Sequence, residues 1–390
     1  MHSHLHVSDL HGLSRLAVEG VLGTTDLVEQ MHYAIARVSG PTLRSADGRT
    51  RGITGLVYRS IHGITGLVGR GADFAFGQVV PRLPAATSTP RRDRALAVLN
   101  GVLGDHLLAT DNPLALAMTL RHGGRILPVD ASDLAAQLPR RRRRIAVFLH
   151  GLCMSDHHWA PAEAEGEAAN LPQWVDSRAG YLPLQLMYNT GLPISANGKA
   201  LAGLLESMVR HWSDPIDELV LIGHSMGGLV ARSACCHGAA AGHTWMEPTG
   251  RLITLGSPHL GAPLEAIGHK VDQALALTPF TAPFTRLARI RSAGITNLRD
   301  GRVTDHPRQT FPEHVRHYAI AATLASDPDS PRSRTVGDGL VTVNSALGRH
   351  DDPGRGLRPH RQWIATSTGH LQLLHHPGAA GRVLEWLSES

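Results

Sequence analysis

The sequence predicts an α/β protein with a mostly parallel central sheet, preceded by a mainly helical N-terminal region. Two observations carry the sheet. From Arg144 onward, short apolar runs alternate with stretches whose apolar residues recur at helical intervals. Those runs are apolar almost throughout, the pattern of strands covered on both faces. A third observation separates the N-terminal region: the first 140 residues lack that alternation and carry long segments of helical spacing instead.

Three N-terminal segments are expected to be helical. The first, SRLAVEGVLGTTDLVEQMHYAIARV (14–38), has helical apolar spacing, with Gly20 and Gly23 lowering its propensity. The second, RGITGLVYRSIHGITGLVGRGADFAFGQVV (51–80), contains the hexamer GITGLV at 52–57 and again at 63–68. An offset of 11 residues is close to three helical turns, so both copies fall on nearly the same face. Arg59, His62 and Arg70 speak against a membrane span, which leaves a packed helical layer or a helix lying on a lipid surface. The third, RRDRALAVLNGVLGDHLLATDNPLALAMTLRH (91–122), predicts a helix stopping near Asn112-Pro113, then a turn-rich stretch. Residues 1–140 are therefore expected to form a helical accessory region of unknown role, and 141–390 a catalytic domain.

Within that second region, RIAVFLHG (144–151) and LPLQLMYNTG (182–191) read as strands ending in turns. NGKALAGLLESMVRHW (197–212) reads as a helix through Leu201, Leu204, Leu205 and Val209. ELVLIGHS (218–225) runs from strand to turn, GGLVARSACCHGA (227–239) continues as a helix, and RLITLGSP (251–258) supplies another strand. HVRHYAIAAT (314–323) and RQWIATST (361–368) complete the set. Turns at the carboxyl ends of such strands are where this fold class places active sites.

Composition sets outer bounds. The chain of 390 residues is 42% hydrophobic but only 4% aromatic, so the core is expected to be built from Val, Leu, Ile and Ala. A net charge of +5 includes the run Arg140–Arg144, which reads as a solvated approach to the first strand or as a contact for phosphate or an anionic membrane. No recognition helix, zinc spacing or interleaved aromatics accompany it, so nucleic acid is not expected as a partner. Cys153, Cys235 and Cys236 make no disulfide framework. The opening residues lack the long apolar run of a secretory signal and no run of 18 apolar residues occurs, so a cytoplasmic placement, with peripheral membrane contact allowed, is the expectation.

The chemistry centres on Gly223-His224-Ser225-Met226-Gly227, a G-x-S-x-G pattern between a strand and a helix. Small residues two before and two after let strand and helix pass closely while the serine is lifted on a strained turn. A serine hydroxyl needs a histidine to take its proton and an acid to orient that histidine. With 25 histidines, composition cannot choose the base, but chain order in this class runs Ser, acid, His. His370, in TGHL after the last strand, is the base candidate, ahead of His375 and His376. Asp338, between Gly337 and Gly339, is the acid candidate, with Asp305 as competitor and Asp327 and Asp329 as solvated turn residues. The backbone N–H of Met226 is one expected oxyanion donor and that of Leu152 the other, with Cys153 as the alternative. His150 is expected to organise its loop.

These pieces together resemble the lipase branch of the α/β-hydrolase superfamily. FLHGLC (148–153), GHSMGG (223–228), GSPHLGAP (256–263), GDGLV (337–341) and GH (369–370) are similar to bacterial triacylglycerol lipases and to a related group of membrane-lipid deacylases. The resemblance covers the last three fifths of the chain and implies an α/β-hydrolase fold, with Ser225 as nucleophile, Asp338 as acid, His370 as base and Leu152 as an oxyanion donor. It implies hydrolysis of small-molecule or lipid-like esters through an acyl-enzyme, without metal or organic cofactor. An acyltransferase or thioesterase using the same triad, or an inactive membrane-associated interaction module, are the alternatives. The insertion within 262–300, with Leu275, Leu277, Phe280, Phe284 and Leu287 at helical spacing, is expected to cap an apolar acyl site.

Overall fold

A computed structural model of the chain describes residues 6–38, 52–80, 88–130, 134, 138, 142–161, 168–263, 292–304, 310–328, 330–352 and 356–389. The expected cap residues Leu275 to Leu287, the competing acid Asp305, the turn residue Asp329, and Arg140 and Arg141 lie outside the described residues.

The chain divides into two compact units, Met1–Arg92 with Leu107–Ala115, and Asp93–His106 with Leu116–Ser390. In the first, α1 (Val7–Val38) and α2 (Gly52–Val79) pair. Arg15 and His11 near the start of α1 meet Asp73 near the end of α2, while Asp26 meets His62 at 3.1 Å, so the two helices run antiparallel. The Arg15 guanidinium first, then His11, holds the Asp73 carboxyl down at about 2. The His11 ring also stacks on Phe76 at 5.1 Å. α3 (Pro90–Ala109) begins with proline, and the Arg92 N–H donates to Thr89 Oγ1 at 3.3 Å, a cap that satisfies one of the free donors of its first turn.

The second unit holds an eight-stranded sheet: β1 (Thr119–His122), β2 (Arg125–Ile126), β3 (Arg144–Leu149), β4 (Leu182–Met187), β5 (Glu218–His224), β6 (Thr249–Leu255), β7 (Arg316–Ala322) and β8 (Arg361–Ala365). The order is β2-β1-β4-β3-β5-β6-β7-β8. β1 pairs antiparallel with β2 and β4, and every other pairing is parallel. Its helices are α4 (Leu171–Trp174), α5 (Ile194–Arg210), α6 (Met226–Ala241), α7 (Ala293–Asn297), α8 (Pro331–Val336), α9 (Val343–Ala346) and α10 (Pro377–Ser388).

The central strands β3, β5, β6 and β7 are buried along nearly their whole length, as their unbroken apolar runs require. One core cluster joins Phe148, Ile222, Ile253 and Ile320 to Trp159 and Trp386, so these three aromatics bury their large area in the sheet core. The sheet reaches further upstream than residue 141. The hairpin β1–β2 turns on Gly123 (φ 56°) and Gly124 (φ 77°), a two-residue turn that only positive-φ residues make readily. Residues 93–106 also belong here: the Asn100 side chain accepts from Leu116 N–H at 2.9 Å, and Gly104 O accepts from Asn189 Nδ2 at 2.9 Å.

The arginine run before β3 is tied down in its described part. Arg142 pairs with Asp176 at 3.1 Å, Arg143 with Asp217 at 2.6 Å, and Arg144 with Glu218 at 3.4 Å while lying over the Tyr181 ring. These three arginines therefore fasten the start of β3 rather than forming a free cationic patch. All three cysteines are free and buried, and burial pushes the Cys153 thiol up to about 12.

Candidate active site

The loops that follow the parallel strands assemble the site at the carboxyl edge of the sheet. β5 ends at His224, and Ser225 follows with φ 54° and ψ −124°, a left-handed conformation costly for a residue with a Cβ. The neighbours enforce it. The Ser225 N–H donates to Leu255 O at 2.8 Å, and helix α6 begins at the next residue. A Cβ on Gly223 would meet Gly228 N at 2.4 Å, and one on Gly227 would meet Leu149 O at 2.3 Å, so the elbow closes only with glycine at both places. The first turn of α6 leaves the Met226 N–H beside the serine, where the helix dipole favours negative charge.

Asp338 lies in the loop between α8 and α9. Gly337 ends α8 at φ 56°, and a Cβ there would meet Val341 O at 2.0 Å. That turn sends the carboxylate inward, where its side chain is fully covered. Oδ1 accepts from the N–H groups of Leu340 at 2.9 Å and Val341 at 2.8 Å, leaving Oδ2 for His370 Nδ1 at 2.7 Å. The His370 N–H donates to Asp338 O at 3.1 Å, so main chain and side chain both join the two loops. Asp327, by contrast, shares its turn with Ser330, whose hydroxyl donates to its carbonyl.

Two further contacts bring the serine and the histidine loops together. Gly256, one residue past the Leu255 carbonyl that holds Ser225, is so close to the pair that a Cβ on it would lie 3.3 Å from the His370 ring and 3.4 Å from Asp338 Oδ2. His224, the residue before Ser225, donates from Nε2 to His370 O at 3.1 Å, with the two rings 4.8 Å apart. Burial first, and the neighbouring His370 second, push His224 well below the usual histidine range, so it is neutral. Among the described residues, no hydrogen bond links Ser225 Oγ itself to His370. The sequence marks His224 only as a variable place in the elbow, so its role in joining the two loops was not legible there.

The loop after β3 supplies the other wall. A Cβ on Gly151 would lie 3.1 Å from Ser225 Cβ, which puts this loop against Ser225. Cys153 has φ 59° and its N–H already donates to Thr190 Oγ1 at 3.1 Å, whereas no acceptor takes the Leu152 N–H among the described residues. Thr190 was not singled out by sequence, because a hydroxyl that occupies a competing donor leaves no motif. His150 is buried under the Tyr188 ring at 4.5 Å, bonds the Gly151 carbonyl through Nδ1 at 3.0 Å, and is pushed down to about 3 by burial. It organises the loop and holds no charge.

His375 and His376 are occupied elsewhere: His375 Nδ1 donates to Ala169 O at 3.3 Å, and His376 caps α10 by accepting from Ala379 N–H at 3.2 Å. Beside the His370 loop lies a cavity of about 940 Å³, lined by Arg94, Met154, His158, Thr368, Leu371 and His375. His158 Nδ1 accepts from the Ser155 N–H at 3.0 Å, and burial, followed by the nearby Arg94, lowers it to about 4.

Residues 144–317 match the family described as the PGAP1-like alpha/beta domain. No curated protein sequence matches the chain. Among solved structures, the chain is similar to a lipase of Bacillus licheniformis in its mature form, at 20% identity over 65% of this chain and 95% of that one, with a TM-score of 0.42. It is similar to the naproxen esterase (carboxylesterase NP) of Bacillus subtilis at 13% identity, over 64% and 85% of the two chains, with a TM-score of 0.37. An esterase of Pyrococcus furiosus matches at 17% identity, over 63% and 81%, with a TM-score of 0.38. Strands β3 to β6 of the mostly parallel sheet and the turn at Ser225 lie in the part of the chain that is similar to the PGAP1-like alpha/beta domain.

Proposed function

We propose that the protein is a serine carboxylic-ester hydrolase acting through an acyl-enzyme on lipid-like or apolar acyl esters. The observation that carries the reading is a serine on a strained elbow beside a buried aspartate–histidine pair joined at 2.7 Å. The Nδ1–H of His370 donates to Asp338, which leaves Nε2 as the basic nitrogen. In the proposed cycle Nε2 takes the Ser225 proton as Oγ attacks the ester carbonyl, and Asp338 supports the imidazolium that forms. Charge on the carbonyl oxygen is received by the N–H groups of Leu152 and Met226. The free Leu152 donor, next to a Cys153 donor already engaged by Thr190, supports that choice. His370 then protonates the departing alcohol, and water activated by the same nitrogen releases the acid. Serine contact with the base is expected to tighten when substrate fills the site, since such hydrogen bonds are often long in the free enzyme.

The test is hydrolysis of p-nitrophenyl esters of graded acyl length by the wild type, Ser225→Ala and His370→Gln, with mass spectrometry of the chain after a fluorophosphonate probe. Turnover that depends on Ser225, with the probe mass on that residue, upholds the reading. Equal turnover in wild type and Ser225→Ala overturns it. Product analysis with an added alcohol acceptor separates hydrolysis from acyl transfer.

A further inference from the structure

The eleven-residue repeat of α2 takes no part in the chemistry proposed above, and it is longer than a hexamer. Residues 52–59 read GITGLVYR and residues 63–70 read GITGLVGR, so an arginine closes each copy. Eleven residues turn an α-helix about 20° beyond three full turns, so equivalent side chains line up in rows along the axis. Leu56 and Leu67 make one row, Val57 and Val68 a second, and Arg59 and Arg70 a third.

The side of α2 that faces α1 carries buried Tyr58, Asp73 paired to Arg15, and Gly69, where a Cβ would meet Val18 at 2.9 Å. The leucine and valine rows point the other way. Ile64 and Leu67 are each 65% exposed and Phe74 is 72% exposed, with Leu56, Val57 and Val68 more than half exposed. A helix on a water-facing surface turns its apolar stripe inward and its polar side out; α2 does the reverse. Scattered exposed hydrophobics are ordinary, but a continuous stripe marks a surface that meets something.

The charges select the occupant. Arg59 and Arg70 are exposed and form no ion pair among the described residues. The one acid in α2, Asp73, is held by Arg15 and His11. The arginine row stands about 60° around the axis from the leucine row, at the border of the apolar stripe. A second copy of this chain meeting face to face would set cationic border against cationic border. A bilayer with anionic headgroups offers hydrocarbon for the stripe and phosphates for the border, and arginine stems can lie along the first while reaching the second. Among the described residues no helix is long and apolar enough to cross a membrane, so the contact is one of lying on the surface.

We propose that α2 docks on an anionic lipid surface, inserting Leu56, Val57, Ile64, Leu67, Val68 and Phe74 with Arg59 and Arg70 on lipid phosphates. The proposal does not rest on the hydrolase reading, and Ser225→Ala is expected to bind lipid as the wild type does.

The experiment is co-sedimentation of the full chain with vesicles of phosphatidylcholine alone and of phosphatidylcholine mixed equally with phosphatidylglycerol. Strong binding to the mixed vesicles that weakens with added salt is expected. Arg59→Gln with Arg70→Gln should lower affinity for the mixed vesicles by about thirtyfold, at roughly tenfold or less per arginine, and erase the preference for anionic lipid. Leu67→Gln should lower binding to both vesicle types by about tenfold or more. Circular dichroism of each variant checks that the helices are kept. Absence of wild-type binding to both vesicles overturns the proposal. So does a wild-type dimer, measured by light scattering, that Leu67→Gln converts to monomer while vesicle binding is untouched.

Discussion

The two units handle apolar residues in opposite ways. In the sheet unit, Leu221 at the middle of β5 is fully enclosed, and the central strands bury nearly every side chain. In the helical unit, Leu67 at the middle of α2 stands in the open with its whole row. The same residue type with the same transfer tendency therefore stabilises the fold in one unit and is left available in the other. What separates them is neighbours: parallel strands are covered on both faces, whereas among the described residues α2 packs on α1 along one side. Apolar periodicity alone reports that a face exists, and leaves open what covers it.

The contrast can be tested by substitution, beginning where the effect should be largest. Ser225→Ala is expected to lower ester turnover by about 10⁴-fold or more, and Asp338→Asn by about 10⁴-fold, with unchanged circular dichroism. Retained turnover in either variant would break the view of the sheet unit as the catalytic one. Gly227→Ala, which sets a Cβ 2.3 Å from Leu149 O, should destabilise by about 3 kcal/mol or more in urea unfolding. Leu221→Ala should cost about 2–5 kcal/mol by the same measurement.

Acid should act on the sheet unit next. His150 is pushed down to about 3, His158 to about 4 and His317 to about 3, each chiefly by burial. Between those values and 6.5 they are neutral in the folded chain and protonated in the unfolded one, so unfolding takes up protons. Their contribution is fully present above pH 6.5 and is lost as pH falls toward about 4, with a slope of up to about 1.4 kcal/mol per pH unit for each histidine. Urea midpoints measured across that window should fall, and His158→Gln should make the fall shallower. The smallest effect belongs to the helical unit: Leu67→Ala should change stability by no more than about 0.5 kcal/mol. A loss there equal to that of Leu221→Ala would show that the α2 face is covered after all.

Much of the sheet unit could be read from sequence because its strands are short, fully buried and separated by turns. The six runs from Arg144 to Thr368 that were expected to be strands correspond to β3 to β8. The strained turn at Ser225 and the pairing of Asp338 with His370 lie at glycine-marked turns that the sequence displays, and the roles of these residues remain the proposal made above. The hairpin β1–β2 was passed over as a turn-rich stretch, although Gly123-Gly124 between TLRH and RI is the signal for it; two-residue β2 is too short to show a period. Residues 93–106 were assigned to the helical region because their spacing is helical, and spacing does not say which unit a helix joins. The Thr190 bond to Cys153 depends on a main-chain N–H meeting a hydroxyl 37 residues away, which no local pattern encodes.

The bond from His224 to the His370 carbonyl spans 146 positions of chain and joins the Ser225 loop to the His370 loop. With the Ser225 amide anchored on Leu255 and the His370 amide anchored on Asp338, the peptide framework on both sides of the reacting groups is already stitched in place. The freedom that remains to the Ser225 side chain is chiefly rotation about its Cα–Cβ bond, a motion of picoseconds to nanoseconds. For the proposed attack, readiness is thereby a matter of a rotor on a fixed mount, with three positions for substrate to choose among.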